Sequence, residues 1–334
     1  MTRALLSRLL SKGGLLPVLR AVAPWSGVLA LNYHRIGDGH ASRFDRGLWS
    51  ADAEGFDAHL RFLAAHFTIV TPRDLPAIRR AGRGRFVLVT FDDGYRDNYE
   101  AAFPILRRHG IAATFFIATG FLDCPRLPWW DEMAWMVRTS RRNGIEPGRW
   151  LPGPVAFDEP DREMAVRSLL RAYKSMPATS TDAFLEFLGE ATGSGRCESG
   201  QAAGTWMSWD MVREMHAAGM VIGGHTVTHP VLARLTRERQ WEEISTCARR
   251  LTEELGEPMR YFSYPVGSRS SFDDDTRACL RRAEVRQAFS YYGGTTTFER
   301  WDDFNLCRIG VERDMDGDWV RATVTLPGVF GRPN

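Results

Sequence analysis

The 334-residue chain reads as an α/β protein built on a parallel sheet with crossover helices, and three observations carry that reading. Short apolar runs alternate with segments of helical period. Several of those runs end directly on chemically capable side chains, as parallel strands do where their connecting loops converge. One stretch, from about residue 123 to 205, breaks the rhythm with prolines, glycines and tryptophans, as a long insertion over one face of the sheet would.

Taken in order, residues 28–33 (VLALNY) run into His34, and residues 86–91 (FVLVTF) into Asp92-Asp93-Gly94. Residues 112–118, 220–224, 260–264 and 287–291 are further strand-like runs, the second of them ending at His225. Helices are expected between them. Residues 51–66 place Phe56, Leu60 and Leu63 on one face. Residues 98–108 carry Pro104 in the first turns, 208–218 open on Ser208 as an N-cap, and 236–255 open on Thr236. A further helix is expected over 271–283, starting at Ser271. Within the insertion, 131–141, 161–173 and 180–190 have helical character. Residues 26–334 therefore read as one domain, preceded by a basic segment of 25 residues.

An apolar fraction of 44% against 25% charged is that of an ordinary folded protein. A formal charge of +2 argues against a nucleic-acid partner. The cluster Arg79, Arg80, Arg83 and Arg85 reads as a solvated face beside a loop. Five cysteines without a CxxC pair are neither a disulfide framework nor a zinc ribbon, and an odd count suits a reducing, cytoplasmic compartment. Residues 1–24 mix leucines with Arg3, Arg8, Lys12 and Arg20. They lack an uninterrupted apolar core and hold no span of roughly 20 apolar residues. Two readings stay open for them: an amphipathic segment on a membrane surface, or a helix packed under the domain.

Two constellations carry chemistry. In Thr90-Phe91-Asp92-Asp93-Gly94, adjacent carboxylates at a strand end point different ways, so one can hold a metal while the other faces a substrate as a base. In His225-Thr226-Val227-Thr228-His229, two imidazoles four residues apart share a face if the segment forms a single helical turn, which is the expectation here. Neutral imidazoles with a carboxylate suit zinc, and also Co2+ or Ni2+.

TFDDG, HTVTH and then SYPVG (residues 263–267), in that order, resemble the polysaccharide deacetylases of carbohydrate esterase family 4. The resemblance covers roughly residues 28–120 and 205–312. It implies a distorted (β/α)7 barrel with a long insertion over the active-site face, and removal of N- or O-acetyl groups from a saccharide. It also implies Asp93, His225 and His229 as ligands of a divalent metal and Asp92 as the base. Two positions depart from the family pattern. Ser263 stands where many members carry an Arg that pairs with the catalytic Asp, and Arg308 stands where many carry a general-acid His. The branch similar to the biofilm poly-N-acetylglucosamine deacetylases takes its acid from an N-terminal Tyr-His, which Tyr33-His34 matches. The resemblance thus implies His34 as acid, Arg308 as the partner of Asp92, and the loop Pro265-Val266 with the Val266 N–H as oxyanion donor. Trp129 and Trp130 are candidates for stacking on a sugar or for core packing. Rival readings are a cyclic-amide or ureide hydrolase on the same barrel, and a saccharide-binding protein that has lost catalysis. Oligomeric state is not legible.

Overall fold

Seven parallel strands frame the computed structural model, which describes residues 2–23, 25–157 and 162–331. In chain order they are β1 (Gly27–Tyr33), β2 (Arg85–Phe91), β3 (Thr114–Ile117), β4 (Val221–Gly224), β5 (Tyr261–Ser263), β6 (Gln287–Phe289) and β7 (Arg308–Gly310). β1 pairs with β2 along its whole length and with β7 on its other edge, where Ala30 faces Arg308 and Asn32 faces Gly310. β2, β3, β4, β5 and β6 follow in parallel register. Among the described residues, β6 meets the β7 side through the bridge Phe289–Leu306. The sheet therefore curls into a distorted (β/α)7 barrel whose last seam is thinly paired.

The strands are buried on both faces, which is why they read as continuous apolar runs and not as alternating ones: every residue from Gly27 to Tyr33 is buried. The crossover helices carry the expected caps. The Ala53–His66 helix buries Phe56, Leu60 and Leu63 and starts on Asp52, whose carboxylate accepts from the Gly55 N–H. Ser208 caps Trp209–Ala217 and Thr236 caps Arg237–Leu255. The helix expected from Ser271 begins instead at Asp274, because Asp273 caps it by accepting from the Thr276 N–H. Residues 98–108 split into a π-turn, Asn98–Ala102, and an α-helix, Phe103–Arg108, with Pro104 in its first turn. The strand β7 was not among the sequence expectations.

The insertion is helical. Its helices are Trp129–Thr139, Glu163–Ser175 and Thr181–Thr192. The first starts two residues before the expected 131 and ends at Ser140, where the backbone turns extended. Asp161, offered above as a helix start, lies outside the described residues. Trp130, Met133, Val137, Leu169, Phe184 and Leu188 form an apolar cluster that continues into Tyr95, Phe121 and Trp206 at the barrel mouth. This shared core seats the insertion on the face where β2, β3 and β4 end.

The junction also holds a buried acid. Asp131 accepts from the Tyr95 hydroxyl at 2.8 Å and from the Asp45 N–H at 2.9 Å. Tyr95 in turn accepts from the Trp130 indole at 2.7 Å. Burial pushes the Asp131 carboxyl up to about 7, against the pull of the Arg35 guanidinium. A carboxyl whose folded-state value is raised contributes stability that is complete below its unfolded value and is lost as pH rises through about 7. Asp131→Asn, neutral at every pH, should flatten that loss. Melting temperatures of both proteins between about pH 4 and about pH 8.5 should lie closest at the acid end and separate as pH rises to about 7, with the variant higher at the alkaline end. Parallel curves would contradict the raised value.

At the chain start, the helices Arg3–Lys12 and Leu15–Val22 lie against the C-terminal helix Gly317–Thr325. Ser7 and Leu16 are buried there, Arg8 pairs with Asp316 at 2.7 Å, and the Ser11 hydroxyl donates to Asp318. The inner face of this segment is therefore packed on the domain. Met1 and Pro24 fall outside the described residues.

Candidate active site

Asp92 and Asp93 leave the end of β2 into the cleft under the insertion, and both are buried. Their side chains take opposite partners. Asp92 receives a bidentate ion pair from Arg308, Nη1 to Oδ1 at 2.7 Å and Nη2 to Oδ2 at 2.8 Å. Arg308 is fully buried and its remaining N–H groups go to Ser290 O, Asn32 Oδ1 and Ser263 Oγ. Burial alone would raise Asp92, but the adjacent guanidinium, with His225 and His34 nearby, outweighs it and holds the carboxyl well below the usual range.

Asp93 faces the two histidines. Its Oδ1 lies 3.4 Å from His225 Nε2 and 3.5 Å from His229 Nε2. That oxygen is buried and makes no hydrogen bond among the described residues. His225 Nδ1 lies 2.7 Å from Ser263 O, a contact that fixes the proton on Nδ1 and leaves the Nε2 lone pair toward Asp93. His229 is held otherwise, by the edge of Trp130 at 4.4 Å and by the Trp129 indole donating to its carbonyl at 3.3 Å. Burial and the neighbouring His225 lower His229 to about 3, so its imidazole stays neutral. The ligand atoms of Asp93, His225 and His229 all lie within 4.8 Å of one another, a set that can hold a metal ion. An orphaned buried carboxylate oxygen facing two imidazole nitrogens fits that use, since an unpaired buried acceptor otherwise costs about 1–3 kcal/mol.

The segment between the histidines is not the expected helical turn. Thr226 and His229 adopt positive φ, and the run is an irregular bend. Glu243 of the Arg237–Leu255 helix clamps it, accepting from the N–H groups of Val227 and Thr228 and from the Thr228 hydroxyl. Six non-glycine residues among those described have positive φ, and Asp93, Thr226, His229 and Val266 are four of them. Strain of this kind concentrates where a site must be held in one geometry.

His34 lines the same cavity, half-buried, with its ring edge-on to Tyr291 at 5.7 Å. Its backbone is anchored by Ser50 Oγ and by the Asn98 amide, which donates to the His34 carbonyl. Val266 also lines the cavity, and its N–H donates to no protein acceptor among the described residues; Gly267 N–H closes onto Pro265 O at 2.7 Å. Trp129 and Trp130 reach the cavity but are buried, Trp129 being stacked on Tyr173 at 4.3 Å. They wall in His229 and do not stand as open platforms. The cavity measures about 870 Å³, and the insertion adds Glu163, Arg167 and Lys174 to its rim.

The structure thus gathers His34, Asp92, Asp93, Trp129, Trp130, His225, His229 and Val266 around one cavity, with Arg308 paired to Asp92 and Pro265 preceding Val266 in its loop. It adds Asn32, Ser263, Ser290 and Glu243, which the sequence reading did not assign. Asn32 sits on β1, two residues before His34 at the strand's end, a signal present in the sequence; Glu243 has none in its own surroundings.

The family model for polysaccharide deacetylases matches residues 79–146 and 172–288, more than half of the chain. The chain belongs to the polysaccharide deacetylase family. A Bacillus subtilis (strain 168) protein bearing a polysaccharide deacetylase name, YxkH, is 33% identical over 91 residues, covering 26% of this chain and 30% of that protein. The poly-beta-1,6-N-acetyl-D-glucosamine N-deacetylase of Staphylococcus aureus (strain MSSA476) is 31% identical over 104 residues, 28% of this chain and 36% of that protein. The chain therefore matches about a third of the length of these curated relatives. In fold, it resembles the Streptococcus pyogenes deacetylase PplD, with TM-score 0.57 and 16% identity over 88% of this chain and 96% of that one. It also resembles IcaB from Ammonifex degensii, with TM-score 0.55 and 22% identity over 90% and 97%.

Metal loading should be proton-coupled. Burial lowers His225, but Asp92 and Asp93 outweigh it and raise the imidazole above its ordinary value, so toward acid pH a proton competes with a cation for the Nε2 lone pair. Zinc affinity should fall as pH drops from about 8 to about 6, with protons released on binding, measurable by calorimetry in buffers of different ionisation heat. A pH-independent affinity would contradict the proposed ligand set.

Proposed function

We propose that this family member is a metal-dependent deacetylase that hydrolyses N-acetyl groups, or O-acetyl groups, on a saccharide such as an N-acetylglucosamine polymer. The observation that carries the reading is the division of labour between adjacent carboxylates: Asp92 is locked to Arg308, and Asp93 faces His225 and His229. Zinc is the proposed ion, because two imidazoles and a carboxylate suit it, with Co2+ or Ni2+ as substitutes. The metal, when bound, supplies Lewis acidity toward the acyl oxygen and the attacking water.

The rest of the chemistry belongs to the chain. Asp92, kept ionised by Arg308, accepts the proton of the attacking water. The Val266 N–H donates to the developing oxyanion, a contribution of about 3–4 kcal/mol where such donors have been removed. His34, which lines the same cavity, donates a proton to the leaving amine. The Ser263 and Arg308 departures from the common family pattern compensate one another: with no arginine at 263, Arg308 fills the place beside Asp92. An intact base, partner and ligand set also favours catalysis over the binding-only reading.

Acetate release from β-1,6- and β-1,4-linked N-acetylglucosamine oligomers tests the proposal, with ammonia or ring-opened products diagnosing the cyclic-amide alternative. Asp92→Asn should abolish acetate release while retaining metal; loss of metal in that variant would show that base and ligand are wrongly divided. His34→Ala should lower turnover by about 10²–10⁴ with metal retained. Near-normal turnover would remove His34 from the acid role.

A further inference from the structure

We infer that the N-terminal helices, residues 3–22, dock the protein on the surface of an anionic lipid bilayer. Five of the seven strongly exposed large apolar side chains among the described residues lie here: Leu5, Leu9, Leu15, Val18 and Val22, each 50–69% exposed. Their spacing is regular. Leu5 and Leu9 are one turn apart on the first helix, and Leu15, Val18 and Val22 follow i, i+3, i+7 on the second. The opposite faces, carrying Ser7 and Leu16, are the ones buried toward the C-terminal helix. The helices are thus already formed and held on the domain, with an apolar stripe left outward that the fold itself does not cover.

Charge selects the occupant. Residues 2–23 contain Arg3, Arg8, Lys12 and Arg20 and no acidic residue. Arg8 is paired with Asp316 at the surface and the Arg20 guanidinium lies over the Phe62 ring, which leaves Arg3 and Lys12 as the exposed cations of the segment; Asp318 accepts from Ser11 and lies 3.6 Å from Arg321. Leu9 and Lys12 share the outer side of the first helix, one turn apart, the pairing of apolar and cationic groups that suits the boundary between acyl chains and anionic headgroups. At 10 and 8 residues, the helices lie on such a surface; no helix among the described residues is long and apolar enough to cross a membrane. A second protein copy would have to offer acidic and apolar groups in register, whereas an anionic bilayer supplies both everywhere.

The full chain should co-sediment with phosphatidylcholine/phosphatidylglycerol vesicles about tenfold more strongly than with phosphatidylcholine alone, and the difference should shrink in high salt. The double variant Leu9→Gln/Val18→Gln should weaken vesicle binding by about tenfold or more, with an unchanged melting temperature. Lys12→Glu should lose the preference for anionic lipid. The readout needs no turnover, so its failure is distinct from failure of the deacetylase reading. Absence of binding to either vesicle, or undiminished binding by the double variant, would overturn the inference. So would a concentration-dependent dimer in light scattering that the double variant abolishes, since a second copy would then be what covers the stripe.

Discussion

The buried ion pair between Asp92 and Arg308 is the interaction on which the rest of the site depends. Removing two charges from water is costly, and a pair of this kind is tolerated only where the geometry is bidentate and every other donor is used. Both conditions hold. The five guanidinium N–H groups of Arg308 are taken up by Asp92, Asn32, Ser263 and Ser290. Those partners come from the ends of β1, β2 and β5 and from the residue after β6, while Arg308 itself opens β7. One side chain therefore gathers the barrel around the base, including the seam where β6 and β7 are thinly paired.

The same pair makes two neighbouring carboxylates compatible. Both ionised in one buried pocket, Asp92 and Asp93 would repel one another and one would take up a proton. Arg308 neutralises the first, leaving the second directed at His225 and His229. His225 links the two halves: its Nε2 lies 3.4 Å from Asp93 and 3.9 Å from Asp92, and its Nδ1 is fixed by the carbonyl of Ser263, whose hydroxyl also receives Arg308. Arg308 takes both oxygens of Asp92, and Asn32 and Ser263 donate to Oδ2 as well. The small Ser263 leaves that place to Arg308, which reaches it from β7, the neighbour of β1, and donates to the Ser263 hydroxyl at 2.7 Å.

Much of this was legible from sequence because parallel strands are buried on both faces and end where chemistry collects. The runs ending on His34, Asp92 and His225 each deliver a side chain to the lining of the one cavity. What was hidden had physical causes. β7 is three residues long and opens on a buried arginine, so it carries no apolar run. The HTVTH segment does not turn helically because Thr226 and His229 sit at positive φ, a geometry maintained by Glu243 from the α-helix that follows, a tertiary contact that the segment's own residues do not announce. Trp129 and Trp130 invited a sugar-stacking reading, and their burial against His229 follows from how the insertion docks on Tyr95 and Trp206, a tertiary fact. The insertion announced itself by composition, its three-helix form only by packing.

The most direct test of the central claim is the pH dependence of kcat/KM for Arg308→Lys beside the native protein. Lysine keeps the charge but loses the two-pronged geometry, so Asp92 should be harder to ionise. The acidic limb of the profile should move to higher pH, while metal content and the alkaline side stay as they were. An acidic limb that does not move would show that Arg308 is a structural ion pair only, and that the base is held ionised by something else.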